Sequence, residues 1–444
     1  MPPKRKGGKG KRAAAPGAAR VASFDVLPDE VLGHVLSFLP AQESVRTCVL
    51  ARRWRHLWRS APGLRILFDG EGERASIKEL REFMDHMFLL RGASPLDTCH
   101  FSLIDVDDDD DDDELGWVNL WIRHVLMCRV QVLSLNFKFD FECWITRFYL
   151  DELPLVSQYL RRLELSRVHL NCSFVDFSRC PTLEVLEIKD SDILDLERIL
   201  SQSLKSLSIT GVCEFSDDER IHVCAPNLVS LRLEVCLGLV PILERMPSLV
   251  EADVEIDAND CAFCRDVNSA NCTHCKNDGD TDSVLLQGLS EAQSLVLSSV
   301  NETTILIRDL KYCPIFRNLK TLLLNEHCCV PADFGALTSI LEHSPVLEKL
   351  TLLLFCKGPK SKVLMKGSPD PTERSNEISK HLKVVEVKCK VVDNRVLNVL
   401  EFLNKLGICF NFEERKARHA GHYHLRPIRT VKARSLVVEG LDQR

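Results

Sequence analysis

The chain has 444 residues, of which 45% are hydrophobic and 27% are charged, and its formal net charge is −7. This composition fits two or three globular domains or one large repeat array, and it excludes an intrinsically disordered chain. The acidic balance and the lack of an apolar run of about eighteen residues predict neither a nucleic-acid nor a membrane partner.

The first predicted segment, residues 1–20, is a basic tail without acidic residues. Its Gly, Ala and Pro content predicts disorder. Its lysines and arginines form either a nuclear localisation signal or a solvated tail. No signal-peptide core accompanies them, so we expect the nineteen cysteines to be reduced thiols in the nucleus or cytoplasm.

Residues 21–65 contain three predicted short amphipathic helices. The first is expected to begin at Pro28, to carry Asp29 and Glu30 in its first turn, where the helix dipole favours negative charge, and to end at Pro40. Its apolar face comprises Val31, Leu32, Val35, Leu36 and Leu39. The second helix is predicted to bury Val45, Cys48 and Val49. The third is predicted to bury Leu50, Trp54, Leu57 and Trp58 and to leave Arg52, Arg53, Arg55 and Arg59 in solvent.

This stretch resembles the F-box, the small helical module that binds the Skp-type adaptor of a cullin ubiquitin ligase. The resemblance rests on Leu27-Pro28-Asp29-Glu30 and on positions 31–40, 46–50 and 52–58. Ala51 is a conservative departure, since many members carry Ser there. The resemblance implies a surface that contacts the adaptor, together with its support, made of Leu27, Pro28, Val31, Leu32, Val35, Leu36, Leu39, Pro40, Trp54, Leu57 and Trp58.

Two other interpretations of this module stay open. It could be a helical bundle that only caps the next domain. It could also be a helix-turn-helix DNA-binding domain, since its last predicted helix is rich in arginine. Against the DNA-binding domain, Trp54 and Trp58 occupy the inner face, and a recognition helix usually presents Ser, Asn, Gln and Arg to the groove.

A second pattern, apolar-x-x-apolar-x-apolar, recurs ten times after residue 129. The units are Val130/Leu133/Leu135, Leu160/Leu163/Leu165, Leu183/Leu186/Ile188, Leu204/Leu207/Ile209, Leu228/Leu231/Leu233, Leu249/Ala252/Val254, Ala292/Leu295/Leu297, Leu319/Leu322/Leu324, Leu347/Leu350/Leu352 and Leu382/Val385/Val387. In the middle of the array the units start 23, 21, 24 and 21 residues apart, which is typical of leucine-rich repeats. The repeats are degenerate, since Cys236 alone clearly preserves their Asn/Cys position.

The pattern and the F-box resemblance together predict the fold class. We expect an α/β chain in which a three-helix F-box precedes a curved, degenerate leucine-rich-repeat solenoid, over residues 66–365, with a parallel sheet on its inner face. Segments 194–200 and 334–341 are predicted to be helices or loops between strands. An ordinary α/β domain of βαβ units is the alternative.

Two insertions interrupt the predicted solenoid. Residues 105–115 contain an unbroken acidic run, which predicts a self-repelling loop and lacks the alternating ligands of a calcium site. Residues 257–282 contain two Cys-x-x-Cys pairs, Cys261/Cys264 and Cys272/Cys275, which could hold a structural zinc as thiolates. A flexible loop with free thiols is the other interpretation. Zinc is the one cofactor that the sequence suggests.

The C-terminal part, residues 366–410, is predicted to be a linker followed by a strand and an amphipathic helix with Val396, Leu397, Val399, Leu400, Leu403 and Leu406 on its apolar face. It resembles the FBD region of plant F-box/leucine-rich-repeat proteins. Residues 411–444 are predicted to be a basic tail. His419, His422 and His424 lack neighbouring Cys or acidic ligands, so a solvated tail is favoured over a metal site.

No nucleotide-binding, metalloprotease or serine-hydrolase motif is present, so we expect a non-enzyme. The F-box resemblance implies the substrate-recognition subunit of a Skp-cullin-F-box ubiquitin ligase. Its partners would be the adaptor with its cullin core, and an unknown protein client bound by the repeats. A small-molecule co-ligand in the solenoid has no support in the sequence. The alternative function is a ligase-independent scaffold that binds protein or nucleic acid.

Overall fold

The computed structural model describes residues 26–69, 77–104, 116–138, 148–150, 154–171, 176–235, 237–256, 285–299, 309, 312–325, 334–354, 381–389, 394–406 and 429–434. Several predictions lie outside these residues: the basic tail at 1–20, the acidic insertion at 105–115, the Cys-rich insertion at 257–282, Cys236, and the three histidines at 419–424.

The N-terminal module contains two α-helices, α1 (Asp29–Leu36) and α2 (Ala41–Arg46). Pro28 and Pro40 are their N-cap residues, so each proline starts a helix where its missing N–H costs nothing. Three short 3₁₀ segments follow, Thr47–Val49, Arg52–Arg55 and Leu57–Ser60. The predicted third helix is thus two separate turns, because the backbone at His56 (φ −126°) leaves the helical region between them.

The predicted repeat units form one sheet, whose thirteen strands follow chain order. Every neighbouring pair is parallel except the last, which is antiparallel. The strands are β1 (Gly63–Asp69), β2 (Thr98–Ile104), β3 (Val132–Lys138), β5 (Arg162–Ser166), β7 (Val185–Lys189), β10 (Ser206–Thr210), β13 (Ser230–Val235), β15 (Glu251–Ile256), β16 (Ser294–Ser299), β17 (Thr321–Asn325), β18 (Lys349–Leu354), β19 (Val384–Cys389) and β20 (Arg429–Arg434).

The apolar positions of the ten predicted units are all buried, with exposures of 4% or less. Each strand turns its two alternate apolar side chains to the core, and parallel pairing stacks them; Leu163, Leu186 and Leu207, for example, occupy equivalent positions on successive strands. Sequential parallel strands with such a ladder are the arrangement of a leucine-rich-repeat solenoid.

Two repeat units were missed by the sequence analysis. β1 and β2 present Ala61/Leu64/Ile66 and Leu96/Cys99/Phe101 in the same arrangement, and all six side chains are buried. Cys99 and Phe101 stand where the other units have aliphatic residues or Ala, whereas Ala61/Leu64/Ile66 fits the spacing but overlaps the F-box stretch, to which it was assigned. The sheet therefore begins directly after the last 3₁₀ turn of the N-terminal module.

The outer segments of the solenoid differ along its length. Among the described residues, the helices in these segments that have defined bounds are α3 (Ile77–Arg91), α4 (Gly116–Met127), α5 (Leu286–Leu289), α6 (Gly335–Glu342) and α7 (Asn394–Lys405). Segment 334–341, which was predicted to be a helix or a loop, is a helix over nearly all of its length, α6. Among the described residues, no helix is both long and apolar enough to cross a membrane.

The middle units instead return through short strands. One four-stranded sheet contains β4 (Phe148–Tyr149), β6 (Val168–Asn171), β8 (Asp192–Asp195) and β11 (Glu214–Phe215). A three-stranded sheet contains β9 (Arg198–Leu200), β12 (His222–Cys224) and β14 (Ile242–Leu243). The prediction of helix or loop at 194–200 is therefore wrong over most of its length, since a repeat of little more than twenty residues has no room for a long helix beside its main strand.

The C-terminal prediction is confirmed for the strand and helix. β19 continues the main sheet, and α7 buries Val396, Val399, Leu400, Leu403 and Leu406. Leu397 differs from the prediction, because it is 50% exposed on the opposite side of α7. Residues 429–434, predicted within a basic tail, instead form β20 and pair antiparallel with β19.

Candidate functional site

In the described part of the N-terminal module, residues 26–65, six large apolar side chains face solvent. They are Val26, Val31, Val35, Phe38, Val49 and Leu50, with exposures of 83%, 44%, 41%, 65%, 82% and 68%. Val31, Val35 and Phe38 follow one another at helical spacing along α1 and its C-terminal end. Exposed apolar groups at this density in one small module are typical of a surface that another protein covers.

The predicted docking residues divide into exposed groups and their support. Pro28, Val31 and Val35 are exposed, while Leu27, Leu39 and Pro40 are half-buried. The other five are buried beneath them: Leu32, Leu36, Trp54, Leu57 and Trp58. The module therefore uses its tryptophans for its own core, which keeps α1 fixed on the short turns that follow it.

The prediction for Val49 and Leu50 is wrong, since both were expected to point inward. The second helix, which was expected to bury Val49, stops at Arg46, and a 3₁₀ turn over Thr47–Val49 takes its place before Leu50. Ala51 is fully extended (φ −160°, ψ 164°), so the chain changes direction directly after Leu50. Sequence reasoning also missed Phe38, although its three-residue spacing from Val35 was a usable signal.

Arg53 connects the second 3₁₀ segment, Arg52–Arg55, to the start of α1. Its Nε donates to Asp29 Oδ1 at 2.7 Å, and its Nη2 donates to the carbonyl oxygen of Leu27 at 2.5 Å. The guanidinium thus binds both the acidic first turn and the backbone of the residue before Pro28. This contact orients Leu27 and Pro28, the first two predicted docking residues.

Arg91, near the end of α3, connects the N-terminal module to the solenoid. It is 5% exposed, and its two terminal nitrogens donate to three carbonyl oxygens: Trp58 at 3.0 Å, Ala61 at 2.6 Å and Pro95 at 3.2 Å. Burial lowers the pKa of its guanidinium. The last turn of the module is therefore held by a side chain of the first repeat.

A second connection runs through Ser37 and Gly63. The Ser37 hydroxyl donates to the Gly33 carbonyl at 3.1 Å and accepts from the Gly63 N–H at 2.9 Å. A Cβ at Gly63 would lie 2.6 Å from the Ser37 Cβ, so this approach requires glycine. A parallel bridge between Pro40 and Arg65 extends the contact along the edge of β1.

The outward residues of the main sheet form charged and polar rows, because paired strands hold their side chains in register. Across β13 and β15 these are Ser230 with Glu251, Arg232 with Asp253, and Glu234 with Glu255. Hydrogen bonding to Glu234, with help from Asp253 and Glu255, raises the pKa of Arg232. The middle of this face is therefore predominantly acidic.

Metal-binding groups were sought over the described ranges, and these contain no cluster of three or more His, Cys, Asp or Glu side chains able to hold a metal ion. The proposed zinc ligands, Cys261, Cys264, Cys272 and Cys275, are not among the described residues. The half-buried Cys224 is poorly ionised, because desolvation and a hydrogen bond with Glu244 raise its pKa to about 11.

Comparison with known proteins gives matches over the module and over the repeats. Residues 24–65 match the F-box domain family. An Arabidopsis thaliana F-box/FBD/LRR-repeat protein is 28% identical over 374 residues, which cover 77% of this chain and 79% of that protein. An FBD-associated F-box protein of the same plant is 27% identical and covers 74% of each chain. A third Arabidopsis relative, named an F-box/LRR-repeat protein, is 28% identical over 73% of this chain and 75% of its own.

Proposed function

We propose that this chain, an F-box/leucine-rich-repeat protein of the plant type with an FBD-like C-terminal region, is the substrate-recognition subunit of a Skp-cullin-F-box ubiquitin ligase. In this role the F-box binds the Skp-type adaptor, and the repeats bind a protein client. The chain itself performs no covalent step.

The observation that carries the proposal is the exposed apolar surface of the F-box. Val31, Val35 and Leu50 are open to a partner, while Leu32 and Trp54 beneath them are buried. In a module without a partner, exposing such apolar side chains to water is unfavourable, so their exposure indicates a surface that a partner covers. Here the solenoid contacts the F-box through Arg91 and Gly63, and Val31, Val35 and Leu50 stay exposed.

The mechanism that follows is proximity. A client bound to the repeats is held close to the conjugating enzyme that the cullin core recruits, so transfer to its lysines becomes effectively intramolecular. Such tethering raises the local concentration of the client without any catalytic side chain in this chain. The accessible face of the main sheet, with its ordered polar rows, is the surface we assign to the client.

Co-purification with a Skp-type adaptor tests the proposal. We expect the intact chain to form an equimolar complex in size-exclusion chromatography, and Leu27→Ala with Pro28→Ala to weaken it. Val35→Asp should abolish it, because the new carboxylate would be desolvated against an apolar partner.

The matched control is Leu397→Asp. Leu397 is an exposed apolar residue of α7 with an exposure similar to that of Val35, and its substitution should leave the complex intact. Far-UV circular dichroism and urea unfolding check that each variant is folded. If the intact, folded chain does not bind the adaptor, the ligase function is wrong and the ligase-independent scaffold takes its place.

A further inference from the structure

A groove of about 390 Å³ lies where the F-box meets the exposed face of the main sheet. Its wall is the end of α1, with His34, Ser37 and Phe38. Its floor comes from β1, β2, β3 and β5, the first four strands of the sheet. The floor side chains that carry polar groups are Arg65, Thr98, His100, Ser134 and Glu164.

Register places these floor residues in a row. Arg65 pairs with His100, His100 with Ser134, and Ser134 with Glu164 on successive strands. Neighbouring strands are about 4.8 Å apart, so the guanidinium, imidazole and hydroxyl groups lie side by side along the groove. One ligand group could therefore accept hydrogen bonds from several of them at once.

The acidic residues of the groove already have partners. Glu164 accepts from Arg162 Nε at 2.5 Å, and the same arginine reaches Glu187 at 2.7 Å. Asp97, at the rim, accepts from the Gln131 amide at 3.0 Å. In contrast, no carboxylate of the described residues lies within 4.0 Å of the Arg65 guanidinium. Arg65 is half-buried, so within the described part of the chain it is a cation in a partly desolvated site without a counter-ion.

The wall adds an apolar contact beside this cation. The Phe38 ring is 65% exposed and is held edge-on by the ring of His34, with centroids 5.2 Å apart. The groove thus offers an aromatic surface from the F-box and a cluster of donors from the sheet. A ligand that satisfies both has an anionic group next to a large apolar one.

We propose that this groove binds an acidic segment of a protein client, in which an Asp or Glu carboxylate accepts from Arg65 and an adjacent large apolar side chain packs on Phe38. The inference names a client class for the proposed function, and rests on that function only for the consequence of binding. It places client recognition at the first four strands, next to the F-box.

The test uses fluorescein-labelled peptides of equal length in a Gly-Ser background, with Glu-Phe-Glu, Lys-Phe-Lys or Glu-Gly-Glu at the centre. Fluorescence anisotropy with the full chain should show binding of Glu-Phe-Glu, and weaker binding of the other two. Arg65→Glu should weaken the Glu-Phe-Glu complex by about tenfold or more, because a charge-assisted hydrogen bond is lost and repulsion replaces it.

The charge reversal has a sharper consequence, since Arg65→Glu should bind Lys-Phe-Lys better than the natural chain does. Arg65→Gln provides a second variant that loses the charge without repulsion. Phe38→Ala should weaken Glu-Phe-Glu several-fold. Arg198→Glu, the same change on an exposed arginine of β9, is the matched control and should have no effect.

Two results would overturn the inference: no measurable binding of Glu-Phe-Glu by the folded chain, or equal binding by the natural chain and Arg65→Glu. Adaptor capture measured on the same preparations separates this outcome from failure of the proposed function. If the chain binds the adaptor but not the acidic peptide, the proposed ligase function stands, and the assignment of this groove as the client site is wrong.

Discussion

The buried guanidinium of Arg91 donates to the carbonyl oxygen of Trp58 at 3.0 Å, across the boundary between the first repeat and the F-box. With the bonds to Ala61 and Pro95, this side chain satisfies three carbonyl groups, of which those of Trp58 and Ala61 are buried from water. The F-box and the solenoid therefore share a hydrogen-bonded core, and the boundary between them is a structural contact.

Arg91→Met should destabilise the protein by about 2–4 kcal/mol, because it keeps the aliphatic stem and leaves buried carbonyl groups unpaired. Urea unfolding measures this loss, and limited proteolysis should show new cleavage near residue 61. Arg81→Met, on the exposed face of the same helix, should change stability by no more than about 0.5 kcal/mol. Equal effects of the two substitutions would contradict the role assigned to Arg91.

Gly63→Ala should also destabilise the protein, by about 1–3 kcal/mol, because the new Cβ would overlap the Ser37 Cβ. Removing the Ser37 side chain, which the new Cβ would overlap, provides the control. Gly63→Ala combined with Ser37→Gly should recover part of the loss, although the hydrogen bond between the two residues is gone. A double-mutant cycle by urea unfolding measures this coupling; additive effects would argue against the steric contact.

His100 should make stability depend on pH. Burial, and secondarily the neighbouring Arg65, lower the pKa of its imidazole below the ordinary value. The unfolded chain therefore binds a proton more readily than the folded one. Stability from this residue is present above the unfolded pKa, about 6.5, and is lost as the pH falls through it towards the folded pKa.

His100→Gln should thus flatten the dependence of unfolding free energy on pH below about 6.5, measured by urea titrations over this range. Arg65→Met should flatten it partly, since the charge of Arg65 is removed while the burial of the imidazole remains. A slope that stays the same in both variants would show that His100 is not the responsible group.

The two Cys-x-x-Cys pairs at 261–275 remain a prediction for zinc. Full-length protein purified without chelator should contain one equivalent of zinc by inductively coupled plasma mass spectrometry, and simultaneous Cys→Ser changes at all four positions should remove it. Cys213→Ser, a buried thiol of the solenoid, serves as control. Absence of stoichiometric metal from the natural chain would favour free thiols in that insertion.

The sequence predicted the parts of the fold in which the same kind of residue, a buried leucine or other aliphatic residue, recurs on successive strands. Leu186 and Leu207 were identifiable because each strand of the solenoid needs the same inward side chain. Cys99 and Phe101 fill the same positions in β2, but they do not match a leucine pattern. The short strands β8 and β9, around Ile193 and Ile199, were not predicted. Their alternation of apolar and polar residues is too short to distinguish from a helical pattern.

The functional surface was predictable only in part. Val31 and Val35 came from helical spacing, and their exposure agrees with a docking role. Val49 and Leu50 were misplaced, since a 3₁₀ turn and an extended Ala51 are decided by tertiary packing that a helical period does not contain. Arg65 could not be recognised at all, because its neighbours in the groove come from strands far apart in the chain.

Because the strands of the main sheet follow chain order, the position of a strand in the sequence sets its distance from the F-box. Each strand adds about 4.8 Å, so the eleven steps from β1 to β19 span about 53 Å along the sheet. A client bound at the first strands would lie close to the F-box and so to the ligase core. A client bound near β18 would lie tens of ångströms farther from the F-box. In the proposed ligase function, the strand that binds the client would decide which client lysines come within range of modification, so a shift of the contact by a few repeats would change the modified lysine without any change in the F-box.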